Sequence, residues 1–144
     1  MVVVDVNILL AAFLDGHAMH TKSLAWLIEL LQTDQVAVPD VVWAGFARIA
    51  TNPRIVNPPA TWNEVAGFIV EIRAEPACQV EVRAMTSPLE VFLAICQSGA
   101  ATGNKVSDAY IAAIAIENGA SVASWDTDFE AFPVKMATAP EVGR

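Results

Sequence analysis

Three consecutive valines, Val2 to Val4, are followed directly by a carboxylate, Asp5. A run that is short, wholly apolar and β-branched is typical of a strand buried on both faces in a parallel sheet. A similar run, Val36 to Val38, comes after a segment whose apolar residues recur at helical spacing, namely Leu24, Leu27, Ile28 and Leu31. The order strand, helix, strand predicts a βαβ unit and therefore a parallel sheet.

The remaining chain continues this alternation. Predicted helices are 41–50, one after the capping box Thr61/Glu64, one after the capping box Ser87/Glu90 with Pro88 in its first turn, and one capped by Ser107 that ends at Asn118-Gly119. Predicted strands are Cys78 to Val82, Ser121 to Ser124 and an edge strand at Val134 to Ala137. We therefore predict one α/β domain over residues 1–144, an α/β/α sandwich around a mostly parallel sheet of four to five short strands.

Composition excludes several classes of function. A net charge of −8 repels phosphate backbones, so contact with RNA needs a local basic patch or a metal ion. Cys78 and Cys96 lack metal-ligand spacing and are expected to be free thiols in a reducing compartment. No basic leader precedes Asp5, and no stretch reaches the roughly 18 apolar residues of a membrane span. A cytoplasmic protein without membrane association is expected.

Aspartates follow the predicted strands at the edge where parallel strands end. Asp5 and Asp126 each follow a strand, Asp40 follows another, Asp108 begins the helix that leads into Ser121 to Ser124, and Asp128 lies just beyond Asp126. A single aspartate in such a place is explained by capping or turn formation. Several together repel one another unless a cation binds, and oxygen ligands of this kind suit Mg²⁺ or Mn²⁺.

The acid-bearing segments carry a family resemblance. They read VVDVN at residues 3–7, FARIATNPR at 46–54, VSDAYIAAIA at 106–115 with NGA at 118–120, and SWDTDF at 124–129. Together, and in this order over nearly the whole chain, they resemble a PIN domain of the VapC toxin type. The block near the C-terminus is the most specific part of the match.

The resemblance implies a Mg²⁺- or Mn²⁺-dependent endoribonuclease, the toxin of a toxin-antitoxin pair, which cleaves structured RNA such as tRNA or rRNA with metal-activated water. By position, Asp5, Asp108 and Asp126 are the implied catalytic metal ligands, and Asn7 and Ser124 are the implied supporting polar residues. The implied partners are a cognate VapB-type antitoxin and the RNA. The large apolar fraction, 55%, leads us to expect a homodimer face and a groove for an antitoxin helix.

One position departs from the family pattern. Family members usually carry a glutamate where this chain has Gly45. Either three aspartates suffice or another acid substitutes, with Asp40 and Asp128 as candidates. Asp40 precedes Gly45 by five residues, about 140° around a helix, so it faces the site only if it lies before the helix proper.

Three basic residues, Arg48, Arg54 and Lys105, are predicted near the acidic rim and are candidates for binding RNA phosphates. For Arg48, a structural ion pair is the simpler reading.

Two other functions remain as alternatives. A phosphatase of the haloacid-dehalogenase type also begins with an aspartate after its first strand, but it needs a second acid where this chain has Asn7. A non-catalytic PIN-fold module that binds RNA or protein would follow if Gly45 had removed the activity.

Overall fold

The computed structural model describes residues 1–78 and 89–142. The strands are β1 (Val2–Val4), β2 (Val36–Ala37) and β3 (Ser121–Ala123). The helices are α1 (Val6–Phe13), α2 (His20–Thr33), α3 (Asp40–Ala50), α4 (Trp62–Ala74), α5 (Leu89–Ser98) and α6 (Lys105–Glu117). Short 3₁₀ turns lie at Pro76–Cys78 and Thr127–Ala131.

The sheet is parallel with the strand order β2-β1-β3. Val3 lies opposite Ala37 on one side and Val122 on the other. The valines of β1 are almost completely buried because helices cover both faces of this central strand. The mixed α/β sandwich predicted from the alternation of helices and strands is confirmed.

The predicted number of strands, four to five, is wrong for the part of the chain that the structure describes, which has three. The segment 134–137 makes only a single parallel bridge, Val122 to Met136, at the edge of β3. Pro133 directly precedes this segment and cannot donate to a ladder, which limits further pairing there. The predicted strand Cys78 to Val82 lies outside the described residues except for Cys78, which ends a 3₁₀ turn.

The ends of two helices test the capping predictions. The capping box at Thr61 is confirmed, since Glu64 N–H donates to Thr61 Oγ1 at 3.3 Å and Thr61 N–H donates to Glu64 Oε2 at 2.7 Å. Helix α6 ends as predicted at Asn118, and Gly119 adopts a φ of 63°, a conformation that glycine takes readily. Two residues of the other predicted capping box, Ser87 and Pro88, lie outside the described residues.

The predicted cap at Ser107 is wrong, because α6 begins two residues earlier, at Lys105. Three successive N–H groups, those of Lys105, Val106 and Ser107, donate to the carbonyls three residues before them. These tight turns begin at Thr102 and extend the helix towards its N-terminus. Ser107 therefore lies within the first turn of α6.

An aromatic cluster joins α1, α3 and α4. The ring of Phe13 packs edge-on against Phe46 and tilted against Phe68, each at a centroid distance of 5.2 Å. Trp43 meets Phe46 at 5.9 Å. These contacts hold α3 against α1 and so fix one side of the cleft described below.

Two expectations about the rest of the chain can be compared with the structure. Cys78 and Cys96 are free and half-buried. Among the described residues, we find no helix long and apolar enough to cross a membrane.

Candidate active site

Asp5 lies at the junction of β1 and α1, and both of its carboxylate oxygens are engaged. Oδ1 accepts a hydrogen bond from Val6 N–H at 2.7 Å, which caps α1, and Oδ2 accepts one from Ser124 Oγ at 2.6 Å. Its own N–H donates to Ala123 O at 3.0 Å. The residue is only 6% exposed. The position of this carboxylate is therefore fixed by the end of β3 and by the start of α1.

Ser124 connects the elements that meet at this edge of the sheet. Its hydroxyl donates to Asp5 and accepts from Asn7 Nδ2 and from the N–H of Asp126, each at 3.0 Å. The side-chain amide oxygen of Asn7, Oδ1, is buried, and the described residues offer it no hydrogen-bond partner. A buried acceptor without a donor is costly unless a ligand satisfies it.

A second group of carboxylates lies beside Asp5. Oxygens of Asp108, Asp126 and Asp128 lie within 4.8 Å of one another. Asp126 Oδ1 accepts the N–H of Asp128 at 2.9 Å, which caps the 3₁₀ turn at 127–131. Lys105 Nζ lies 3.4 Å from Asp128 Oδ1. The predicted convergence of strand ends and the start of α6 thus places these acids together.

Burial, and after it the repulsion between the acids, raises the pKa of Asp5 and of Asp108. For Asp5 the main cause is burial, which the hydrogen bonds from Ser124 and Val6 oppose and the charge of Asp126 reinforces. For Asp108, burial and then the neighbouring carboxylates raise the pKa to about 6, and Lys105 only partly compensates. The group therefore carries more negative charge than its own cations neutralise.

A cleft of about 440 Å³ opens over these acids. One wall carries Asp5, Asn7, Asp108 and Asp126, with Asn104 and Ser107 at the start of α6. The other is one face of α3, formed by Val41, Ala44, Gly45, Arg48 and Ile49. An acidic wall facing a largely apolar wall with one arginine can hold a cation and an anionic ligand together.

The structure separates the predicted site residues into two groups. Asp5, Asn7, Asp108, Asp126 and Arg48 line the cleft. The other candidates are Ser124 behind Asp5, Asp128 and Lys105 at the rim, and Asp40 and Arg54, which are exposed and do not line it. Asp40 is the first residue of α3, so the rotation of about 140° over five helical residues directs it away from Gly45.

Gly45 lies on the wall of the cleft, and its neighbour accounts for the missing side chain. A Cβ built at Gly45 would lie 3.1 Å from Cγ2 of Val6, tighter than most contacts of real Cβ atoms. Val6 follows Asp5 at the start of α1. The departure from the family pattern at Gly45 is therefore matched by a bulky side chain opposite.

Sequence reasoning missed two features of the site. Ser107 was expected to be a cap but lines the cleft beside Asp108. The ion pair of Lys105 with Asp128 joins residues 23 positions apart in sequence, and no local pattern predicts it. In the sequence, the only indication that Ser107 belongs to the site was its position next to Asp108 near the start of a predicted helix.

Comparison with known proteins agrees with this geometry. The chain matches the PIN domain family over residues 2–135. It is 35% identical over 137 residues to ribonuclease VapC25 of Mycobacterium tuberculosis, covering 92% of this chain and 93% of that protein. The chain belongs to the PIN-domain family.

Further relatives of this PIN-domain protein bear the same kind of name. It is 35% identical over 133 residues to ribonuclease VapC31 of Mycobacterium tuberculosis, covering 92% of this chain and 93% of that protein. To ribonuclease VapC43 of the same organism it is 32% identical over 133 residues, with 92% and 90% covered. The predicted resemblance is confirmed, and the family assignment sets aside the haloacid-dehalogenase alternative.

Proposed function

We propose that this PIN-domain protein is a Mg²⁺- or Mn²⁺-dependent endoribonuclease, the toxin of a toxin-antitoxin pair, and that its substrate is a structured RNA such as tRNA or rRNA. The observation that carries the proposal is the meeting of Asp5, Asp108 and Asp126 at one cleft. The ribonuclease names of its relatives point to the same chemistry.

The residues of the site fit a hard divalent cation. Their donors are carboxylate and amide oxygens, the ligand type that Mg²⁺ and Mn²⁺ prefer. The buried oxygen of Asn7 lacks a partner in the described structure, and the pKa of Asp108 is raised by charges that a cation would offset. Asp5, Asp108 and Asp126 would hold the ion, with Asp128 beside them. When bound, such an ion activates water at neutral pH and neutralises charge on a phosphodiester.

The protein's own residues orient this site and bind the substrate. The Ser124 hydroxyl and the Val6 N–H fix the two oxygens of Asp5, so that carboxylate cannot rotate away from the cleft. Asn7 holds Ser124 in turn. Arg48 lies across the cleft from the acids and would bind a phosphate oxygen of the RNA. Arg54 would contact a phosphate further from the cut.

Partners other than RNA would bind through apolar surface. Several large apolar side chains on α4 and α5 are strongly exposed, namely Trp62, Val70, Leu89 and Leu93. Surface of this kind favours association with other chains. We propose that it serves a homodimer and a cognate VapB-type antitoxin. Sedimentation equilibrium of the purified toxin would measure the dimer, and a monomer at all concentrations would contradict it.

A non-catalytic PIN-fold module remains the second candidate, because Gly45 offers no carboxylate and Val6 occupies the space beside it. The two functions differ in a direct assay. Wild type should cleave RNA in Mn²⁺, while the module would bind RNA or protein and cleave neither tRNA nor rRNA.

The experiment incubates purified tRNA and rRNA with wild type, Asp5→Asn and Asp108→Asn in Mn²⁺ or EDTA. We expect cleavage by wild type in Mn²⁺ only and at least a hundredfold slower cleavage by both variants. Asp15→Asn is the matched control, since its side chain is 99% exposed and lies outside the cleft. Asp40→Asn tests whether that acid contributes. Equal cleavage by all variants would indicate a contaminant and refute the assignment.

A further inference from the structure

The two walls of the cleft differ in what they can offer a cation. Among the described residues, all of the carboxylates near the cleft lie on the side of the strand ends and α6. The α3 wall contributes side chains without oxygen donors and one cation, Arg48. Two divalent ions in one centre lie roughly 3.5–4 Å apart and each needs its own protein ligands. The described part of this site supplies such ligands from one side only.

Lys105 occupies a place that helix formation does not favour. It is the first residue of α6, and a positive charge in the first turn opposes the helix dipole. The preceding residue, Asn104, makes no capping hydrogen bond with its side chain. Lys105 nevertheless lies 3.4 Å from Asp128 with its side chain 38% exposed, so its ammonium group is directed at the acids.

The charges of the site balance with one divalent ion. The four aspartates, Asp5, Asp108, Asp126 and Asp128, carry four negative charges when all are ionised. One divalent ion, Lys105 and Arg48 together carry four positive charges. A second divalent ion would compete with Lys105 for Asp128, because the ammonium group lies 3.4 Å from Oδ1 of that carboxylate.

We propose that this centre holds a single divalent ion and that Lys105 supplies the charge of a second one. The inference rests on the function proposed above and adds the number of ions and the residue that sets it. Lys105 is then a positioning residue, which holds Asp128 away from metal binding and keeps one positive charge beside the bound ion.

The test is a titration of the whole protein with Mn²⁺, followed by electron paramagnetic resonance of free Mn²⁺ and by calorimetry. We expect one ion per wild-type chain. Lys105→Met should free Asp128, so a second ion should bind and the first should bind about tenfold more tightly, the scale of one repelling charge removed from nearby in water. Lys105→Arg should retain one ion, and so should Lys105→Met combined with Asp128→Asn.

Lys135→Met is the matched control, since Lys135 is an exposed lysine outside the cleft, and it should bind one ion as wild type does. Two ions in wild type, or unchanged stoichiometry and affinity in Lys105→Met, would overturn the inference while leaving the nuclease in place, provided that Asp108→Asn loses the ion. If wild type binds no Mn²⁺, or if Asp108→Asn binds it equally well, both proposals fail together.

Discussion

Asp108→Asn should stabilise the metal-free protein at neutral pH. The pKa of Asp108 is raised from 3.8 to about 6, first by burial and then by the charges of Asp5, Asp126 and Asp128. The folded protein therefore holds a proton on this carboxyl more tightly than the unfolded chain does. Stability consequently falls as the pH rises from about 4 through about 6, because folding then requires an unfavourable charge.

The size of the effect follows from the same values. A rise from 3.8 to about 6 corresponds to at most about 3 kcal/mol. Asp108 is only about half-buried, so solvent screens part of the repulsion, and we expect about 1–2 kcal/mol. Asparagine is similar in shape and carries no charge. The variant should therefore be more stable than wild type by this amount at pH 7.5 and nearly equal to it at pH 4.

Urea unfolding in EDTA, at several pH values between 4 and 8, measures this difference. Glu71→Gln, which removes an exposed acid on α4 outside the cleft, should show no such dependence on pH. Adding Mn²⁺ should reverse the order at pH 7.5, because an ion bound only to the folded state stabilises wild type and not the variant. A variant that is less stable than wild type at pH 7.5 would refute the reasoning. So would a variant whose free energy of unfolding differs from that of wild type by the same amount at every pH.

Three further substitutions test the surroundings of the site. Ser124→Ala removes the donor to Asp5 and should cost about 1–3 kcal/mol in urea unfolding and weaken Mn²⁺ binding; an unchanged protein would contradict the linking role of this hydroxyl. Gly45→Ala should stabilise the protein by about 0.5–1 kcal/mol in a Val6→Ala background and by less in wild type, where Val6 lies close to the new Cβ. If the two substitutions had additive effects on the free energy of unfolding, the contact would be refuted. Ser23→Ala should raise the free energy of unfolding by about 0.5–1 kcal/mol, because the Ser23 hydroxyl is buried without a partner among the described residues; a loss of stability would show that it is satisfied.

The convergence of the aspartates was easier to predict from the sequence than the edges of the fold. Asp5 follows the three valines of β1, and Asp126 comes shortly after β3, Ser121–Ala123. Because parallel strands end on one side of a sheet, topology alone brings the two acids together. The edge segment at Val134 to Ala137, which contains Lys135, was also predicted as a strand but makes one bridge only. Whether an edge segment pairs further depends on the geometry of the chain that leads to it, which periodicity does not contain.

The charged contacts of the rim show a second limit. Lys105 could be placed near the acids from sequence, but its pairing with Asp128 depends on where α6 begins. That start was predicted three residues too late, at Asp108 instead of Lys105, since the deciding hydrogen bonds are backbone turns at Thr102 to Ser107 rather than a side-chain cap. Local propensity predicts that a helix exists more securely than it predicts its first residue.

The glycine at position 45 links packing to chemistry. Its backbone belongs to the regular helix α3, where glycine costs about 0.5–1 kcal/mol relative to alanine, so the conformation does not require it. The close approach comes from Val6, whose branched side chain is stiff and lies near the position of a Cβ, so it offsets part of the gain expected from alanine. Because Val6 is adjacent to Asp5, it cannot move far without moving the N-terminus of α1 that Asp5 caps. A glutamate introduced at Gly45 alone should therefore disturb Asp5, and only with Val6→Ala should it add a ligand and strengthen Mn²⁺ binding.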